Sequence, residues 1–172
     1  VVRLDLTSGR VVGNPMEPKA ALARWQGDVL DLWCGTQGMV ALRDSLCGLT
    51  GLPPDKVRVR AQDVGGGFGI RGPAYPEYAA LALAAKATGR PVKWTDERST
   101  SFLSDSQGRA QLMHAELALD TEGKFLAVRL QGYGNLGAYI TGVAPGPLSL
   151  NTGKNLASVY RTPLLSVDIK TV

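Results

Sequence analysis

The stretch Asp63-Val64-Gly65-Gly66-Gly67-Phe68-Gly69 decides how this chain is read. Four glycines in five positions make neither a helix nor an ordinary strand interior, because each costs backbone entropy and offers no side chain to pack. Such a run is kept where the main chain must approach another group closely, or where consecutive N–H groups face an anionic or oxo ligand. Upstream, Val57-Arg58-Val59-Arg60-Ala61 alternates apolar and charged residues, the period of a half-buried strand. Downstream, residues 76–87 are rich in Ala and Leu and read as a helix with Pro76 in its first turn. Strand, glycine loop and helix make a ligand cradle. A plain corner would need two glycines and would leave Phe68 without a purpose.

Two kinds of ligand compete for that cradle. Gly67-Phe68-Gly69-Ile70-Arg71-Gly72 satisfies G-x-G-x-x-G, and the acidic pair Asp96-Glu97 closes the next strand, residues 92–95, where a dinucleotide fingerprint would put a ribose-binding carboxylate. Against it, Pro73 stands where a Rossmann helix should already be running. Arg58 and Arg60 also sit in a strand that should be almost wholly apolar, and Gly65 and Gly66 have no task in such a turn. A Walker loop is excluded, since no Gly-Lys-Ser/Thr follows. A dinucleotide (NAD or FAD) domain and a non-catalytic docking module remain the alternatives.

Working outward, strands are expected at residues 20–24 and 29–33, a helix at 39–49 stopped by Gly51 and Pro53-Pro54, and a strand at 57–61. After the 76–87 helix come a strand at 92–95 and a hairpin of 114–119 with 125–133 across Asp120-Thr121-Glu122-Gly123. Residues 78–85 are continuously apolar, so that helix should be buried on most sides. Residues 142–155 read as a long Gly/Pro loop that partners would order. The fold class is α+β, a mixed sheet with two main helices.

At 172 residues with 44% hydrophobic and 20% charged side chains, the chain has ordinary globular composition. It opens on Val1-Val2-Arg3-Leu4 and closes on a strand-like alternation over 166–172, so one domain, 1–172, belonging to a larger subunit is expected. The net charge of +4 comes from basic residues scattered along the sequence (Arg3, Arg24, Arg43, Arg71, Lys86, Arg109, Lys154), which predicts a solvated surface rather than a nucleic-acid site. No apolar run approaches a membrane span. Cys34, Cys47 and the single His114 have no metal-ligand spacing, Cys47 reads as a core thiol, and reduced cysteines fit a cytoplasmic protein.

An ordered set of motifs carries a resemblance: Asn14-Pro15-Met16-Glu17-Pro18, Leu32-Trp33-Cys34-Gly35-Thr36-Gln37, Leu49-Thr50-Gly51-Leu52-Pro53, the glycine loop, Gly89-Arg90-Pro91-Val92-Lys93-Trp94, Glu97-Arg98 and Asn135-Leu136-Gly137-Ala138-Tyr139. In this order and spacing, the chain resembles the molybdopterin-binding large subunit of the xanthine dehydrogenase / aldehyde oxidase / aerobic carbon monoxide dehydrogenase family over essentially its whole length. The resemblance implies a molybdenum hydroxylase that uses water as oxygen source. Its cofactor would be molybdenum–molybdopterin, the cytosine dinucleotide form included, with iron–sulfur clusters and FAD on partner domains or subunits. It implies cofactor contacts from Gly66, Gly67, Phe68 and Gly69 through backbone, and from Gln37 through an amide that both donates and accepts. It places the base glutamate and the substrate-side loop outside these residues. In the purine-oxidising branch a substrate-contacting glutamate soon follows the loop; here Ile70-Arg71-Gly72-Pro73-Ala74 occupies that ground, which points toward carbon monoxide or aldehyde oxidation.

Overall fold

The structure, a computed structural model, describes residues 1–141 and 146–172. In chain order the elements are β1 (Val2–Val12), β2 (Ala20–Gln26), β3 (Val29–Cys34), α1 (Met39–Thr50), β4 (Val57–Arg60), α2 (Pro76–Thr88), β5 (Val92–Thr95), α3 (Arg98–Ser104), β6 (Gln107–Leu119), β7 (Phe125–Gly134), α4 (Asn151–Lys154) and β8 (Leu164–Thr171). They fall into two compact units, Val12–Ser106 and Val1–Val11 with Gln107–Val172. Each unit holds one mixed four-stranded sheet, so the α+β class holds.

The first unit carries the glycine loop. Its sheet runs β4-β3-β2-β5. β2 and β3 form an antiparallel hairpin through Gly27 (φ +61°), and β5 pairs antiparallel with the other side of β2. β4 lies parallel to β3, a pairing that needs a crossover, and α1 supplies it. Gly51 ends α1 in the left-handed region (φ +71°), its N–H donating to the Cys47 carbonyl, and Gly89 ends α2 in the same way (φ +65°). One face of the sheet meets the helices through Ala21, Ala23, Leu30, Leu32 and Val57, against Leu42 and Leu46 of α1 and Tyr78, Leu81, Ala82 and Ala85 of α2. Alanine facing alanine lets α2 approach β2 closely. Cys47 packs at the margin of this core as a free thiol.

α2 departs from expectation. It buries only the Tyr78, Leu81, Ala82 and Ala85 face, while Leu83 stands 63% exposed. Its alanines serve helix propensity as well as packing, so a continuous apolar run overstates burial. α3 was not legible as a helix; it is anchored by Ser101 Oγ donating to Asp96 Oδ2 (2.6 Å) and by the Arg98 guanidinium donating to Asn14 Oδ1 (2.6 Å) and the Met16 carbonyl (2.9 Å).

The second unit's sheet runs β1-β6-β7-β8. β6 and β7 form the expected hairpin, closed by Asp120 Oδ1 accepting from the Glu122 and Lys124 N–H groups (2.9 Å each), but β6 begins seven residues earlier than the alternation suggested. His114 lies on β6 and pairs through Nδ1 with Asp5 (2.6 Å). Gly132 faces Met113, and a Cβ there would run into the Leu112 carbonyl, so the two strands approach too closely at this point for any side chain. Of the expected loop at 142–155, residues 142–145 lie outside the described residues. Gly146–Leu150 form a π-helical turn and Asn151–Lys154 a turn of α-helix, so the remainder has regular structure that its Gly and Pro content concealed.

Candidate functional site

The glycine loop is held from two sides by side chains of its own unit. On one side Gln37, just after β3, turns its amide oxygen to the loop and accepts from the N–H groups of Gly69 (2.9 Å) and Arg71 (3.2 Å). The Gln37 N–H returns a bond to the Arg71 carbonyl (3.1 Å), which also accepts from Thr36 Oγ1 (3.1 Å). On the other side Glu17 accepts from the Gly65 N–H through Oε2 (2.8 Å) and donates its own N–H to the Gly65 carbonyl (3.2 Å). Internal turns close the rest, Ile70 N–H to Gly67 O (3.0 Å) and Gly72 N–H to Gly69 O (3.2 Å). The hydroxyl of Tyr75 donates to the Ile70 carbonyl (2.7 Å).

The glycines divide by reason. Gly66 (φ +112°) and Gly69 (φ +88°) adopt backbone conformations that a Cβ would strain. At Gly65 a Cβ would fall onto Glu17 Cβ, and at Gly67 it would stand 2.5 Å from Gln37 Cδ. Phe68, in the left-handed region (φ +48°), lifts its ring into solvent, 73% exposed. After these bonds are assigned, the N–H groups of Gly66, Gly67 and Phe68 have no acceptor among the described residues, nor has the Gln37 amide NH2. Three consecutive main-chain donors and one side-chain donor are left over between the bonds that clasp the loop at Gly65 and at Gly69. All five residues singled out in the sequence thus lie on this loop or, in the case of Gln37, are bonded to it.

Sequence reasoning missed three charged residues that build it. Arg71, grouped above with solvated charges, is buried; Nη2 donates to the Glu17 carbonyl (2.7 Å), and Nη1 is enclosed without a partner among the described residues. Lys19 is fully buried, with Nζ 3.0 Å from Asp105, 3.4 Å from Glu77, 3.7 Å from Asp96 and 4.1 Å from the Tyr75 ring centre. Asp96 is thus held in an internal ion pair and is buried, which removes one of the two carboxylates offered for a dinucleotide site and leaves the exposed Glu97. Glu17 is the third. Only the Asn-Pro-Met-Glu-Pro spacing could have flagged it, since its contacts with Gly65 and Arg71 are distant in sequence. Cys34, at the end of β3, is buried; desolvation pushes its thiol up to about 11 against the opposing pull of the Arg71 charge.

A clasped loop with spare main-chain donors lies beyond a strand end in an α+β unit, an arrangement able to hold an anionic or oxo group. The whole chain, residues 1–172, matches the model of the molybdopterin cofactor-binding domain, and the protein belongs to that family. Among curated relatives it is 32% identical to the 6-hydroxypseudooxynicotine dehydrogenase complex subunit gamma of Paenarthrobacter nicotinovorans, over 100% of this chain and 22% of that protein. It is 35% identical to the carbon monoxide dehydrogenase large chain of Afipia carboxidovorans, over 81% of this chain and 18% of that one. The crystal structure of quinoline 2-oxidoreductase from Pseudomonas putida 86 superposes with a TM-score of 0.90 at 32% identity, over 99% of this chain and 22% of that one. The chain thus spans about a fifth of the length of the relatives it matches.

Proposed function

We propose that this chain is the part of a molybdenum hydroxylase that holds the molybdopterin cofactor, and that Gly66, Gly67, Phe68, Gly69 and Gln37 are the residues that touch it. The observation carrying this reading is the row of unused N–H groups at 66–68 on a loop clasped on either side of them by Glu17 and Gln37. Donors fixed in place before a ligand arrives cost no reorganisation when it binds and suit oxo and thiolate groups rich in electron density. Gln37 is oriented by the two N–H bonds its oxygen accepts, so its NH2 is the group free to donate to an oxo or water ligand. Gly69 contributes its conformation, because its own N–H is taken by Gln37.

When bound, the cofactor supplies two-electron oxidation of a small-molecule substrate with oxygen taken from water. The chain's own part is to bind, orient and donate hydrogen bonds at the metal end. Electrons would leave through iron–sulfur clusters and FAD on partner domains or subunits, as the naming of the relatives as subunits of complexes encourages. Among the described residues no helix is long and apolar enough to cross a membrane. Cys34 and Cys47 are free thiols, as a reducing compartment keeps them, and on that ground we place the protein in the cytoplasm. Residues 70–74 carry no carboxylate, which supports carbon monoxide or aldehyde oxidation over purine oxidation.

Metal and cofactor analysis of the full-length protein, purified from cells able to make molybdopterin, tests the proposal. Molybdenum near one per polypeptide together with a pterin supports it. A stoichiometric nicotinamide or flavin nucleotide on this chain, without molybdenum, would refute it.

A further inference from the structure

We infer that Glu17 is a positioning residue of the cofactor cradle, fixing the conformation in which residues 66–68 present their free N–H groups; this rests on the reading of the glycine loop as that cradle. Glu17 makes three contacts with the loop and its far end. Its carboxylate accepts from the Gly65 N–H (2.8 Å), its N–H donates to the Gly65 carbonyl (3.2 Å), and its carbonyl accepts from buried Arg71 (2.7 Å). Residues 65 and 71 bracket the three free donors, so one residue ties both ends of the segment that matters.

The surroundings are shaped for this side chain. A Cβ on Gly65 would fall onto Glu17 Cβ, and one on Gly35 would stand 3.2 Å from Glu17 Oε2. Two glycines thus make room for a carboxylate rather than for a ligand. Pro18 biases Glu17 toward extended backbone, which turns its N–H and C=O outward as the pairing with Gly65 and Arg71 requires. Arg98, from α3, secures the same segment at Asn14 and Met16. The carboxylate has its charge directed at a main-chain N–H. An anionic cofactor would repel that charge at contact distance, so Glu17 acts through the loop and does not ligate.

The test uses the full-length protein with Glu17→Ala, Glu17→Gln and, as a control for loss of a surface carboxylate, Glu122→Ala on the exposed hairpin turn. Hydrogen exchange is followed in peptides covering residues 62–72 and residues 20–34, alongside molybdenum per polypeptide. In Glu17→Ala, exchange at Gly65 should rise about ten- to a hundredfold, the range for losing a charge-assisted hydrogen bond. Exchange over 20–34 should stay unchanged, and molybdenum content should fall severalfold. Glu17→Gln, whose amide oxygen can still accept, should restore most of both, and Glu122→Ala should match wild type. Unchanged exchange at 62–72 overturns the inference, as does a rise spread equally over 20–34, or local loosening with normal molybdenum. Should Glu17→Ala not fold, Glu17→Asp, whose carboxylate is one methylene short of the Gly65 N–H, decides: a rise in exchange confined to 62–72 supports the inference, and none overturns it. Wild-type protein that never contains molybdenum overturns the cradle reading and this inference with it, an outcome told apart because Glu17→Ala would still loosen Gly65.

Discussion

Replacing Gly67 puts the account of the loop under the most direct strain. Gly67 is outside the left-handed region, so a side chain there is opposed by contact rather than by backbone preference. The Cβ of an alanine would stand 2.5 Å from Cδ, 2.6 Å from Cγ and 2.9 Å from Oε1 of Gln37. Gln37 could swing aside, but only by releasing the Gly69 and Arg71 N–H groups it accepts from. At about 0.5–1.5 kcal/mol for each bond, the cost is about 1–3 kcal/mol, paid locally in the loop. The cycle of Gly67→Ala, Gln37→Ala and the double variant isolates this term, read as hydrogen-exchange protection at Gly69 in the full-length protein. With Gln37 cut back to alanine the obstructing atoms are gone and both bonds are already lost, so the second substitution should add little. The two changes should be coupled by about 1 kcal/mol or more. Gly67→Val, with two further methyl groups, should leave the protein folded and nearly free of molybdenum. Additive effects within about 0.5 kcal/mol, or normal molybdenum in folded Gly67→Val protein, would refute the reasoning.

Three other outcomes are expected. Gln37→Glu keeps an oxygen for Gly69 and Arg71 but loses the NH2 donor; loop exchange should stay near wild type while turnover of the loaded enzyme falls about ten- to a thousandfold, and unchanged turnover returns Gln37 to a purely structural role. Lys19→Met strands the buried carboxylates of Asp96 and Asp105 without their cation, so denaturant unfolding should show a loss of about 3–5 kcal/mol; a loss below about 1 kcal/mol would mean the ion cluster is not what joins β2 to α3. The Cys34 thiol has its folded pKa raised to about 11 from an ordinary value of 9.0. Folding therefore favours the protonated thiol, with the contribution fully present below pH 9 and lost as pH rises toward 11, and Cys34→Ser should flatten the alkaline limb of the stability profile over that window.

Much of the loop-bearing unit was legible, because its elements announce themselves locally. β5 was bounded correctly by alternation and flanking Gly-Arg-Pro, and α1 and α2 by their glycine stops. What was hidden depends on partners distant in sequence. Arg71 reads as one basic residue among many until Glu17, 54 residues away, supplies a carbonyl for it. Lys19 looks like a surface lysine until α2, β5 and α3 bring Glu77, Asp96 and Asp105 around it. α3 has the Ser/Thr-rich sequence Arg-Ser-Thr-Ser-Phe-Leu-Ser, weak in intrinsic helix propensity, and is set by its hydrogen bonds to Asp96 and to the 14–16 segment. β1 has alternation over only part of its length and is interrupted by Thr7-Ser8-Gly9, so pairing with β6 rather than pattern defines it.

The glycines of the loop have structural tasks that the motif does not display. The sequence reading set Gly66, Gly67 and Gly69 against a ligand, through close approach of the main chain or through its N–H groups. In the structure, Gly65 and Gly67 make way for Glu17 and Gln37, while Gly66 and Gly69 serve backbone conformation. On the proposed reading, the ligand's share of the loop is the donors left over, the N–H groups of Gly66, Gly67 and Phe68. This changes what substitutions report. A side chain at Gly65 or Gly67 disrupts the two clasps first and the ligand second, so loss of cofactor there cannot by itself identify a contact. A side chain at Gly69 meets no atom within 4 Å and tests backbone conformation alone. D-alanine, placed at Gly69 by chemical ligation of the chain, fits a positive φ without strain. It should preserve loop exchange and molybdenum binding, whereas L-alanine at the same position should lose both. Loss with both enantiomers would mean that Gly69 is required for space, and retention with both that its conformation is not required.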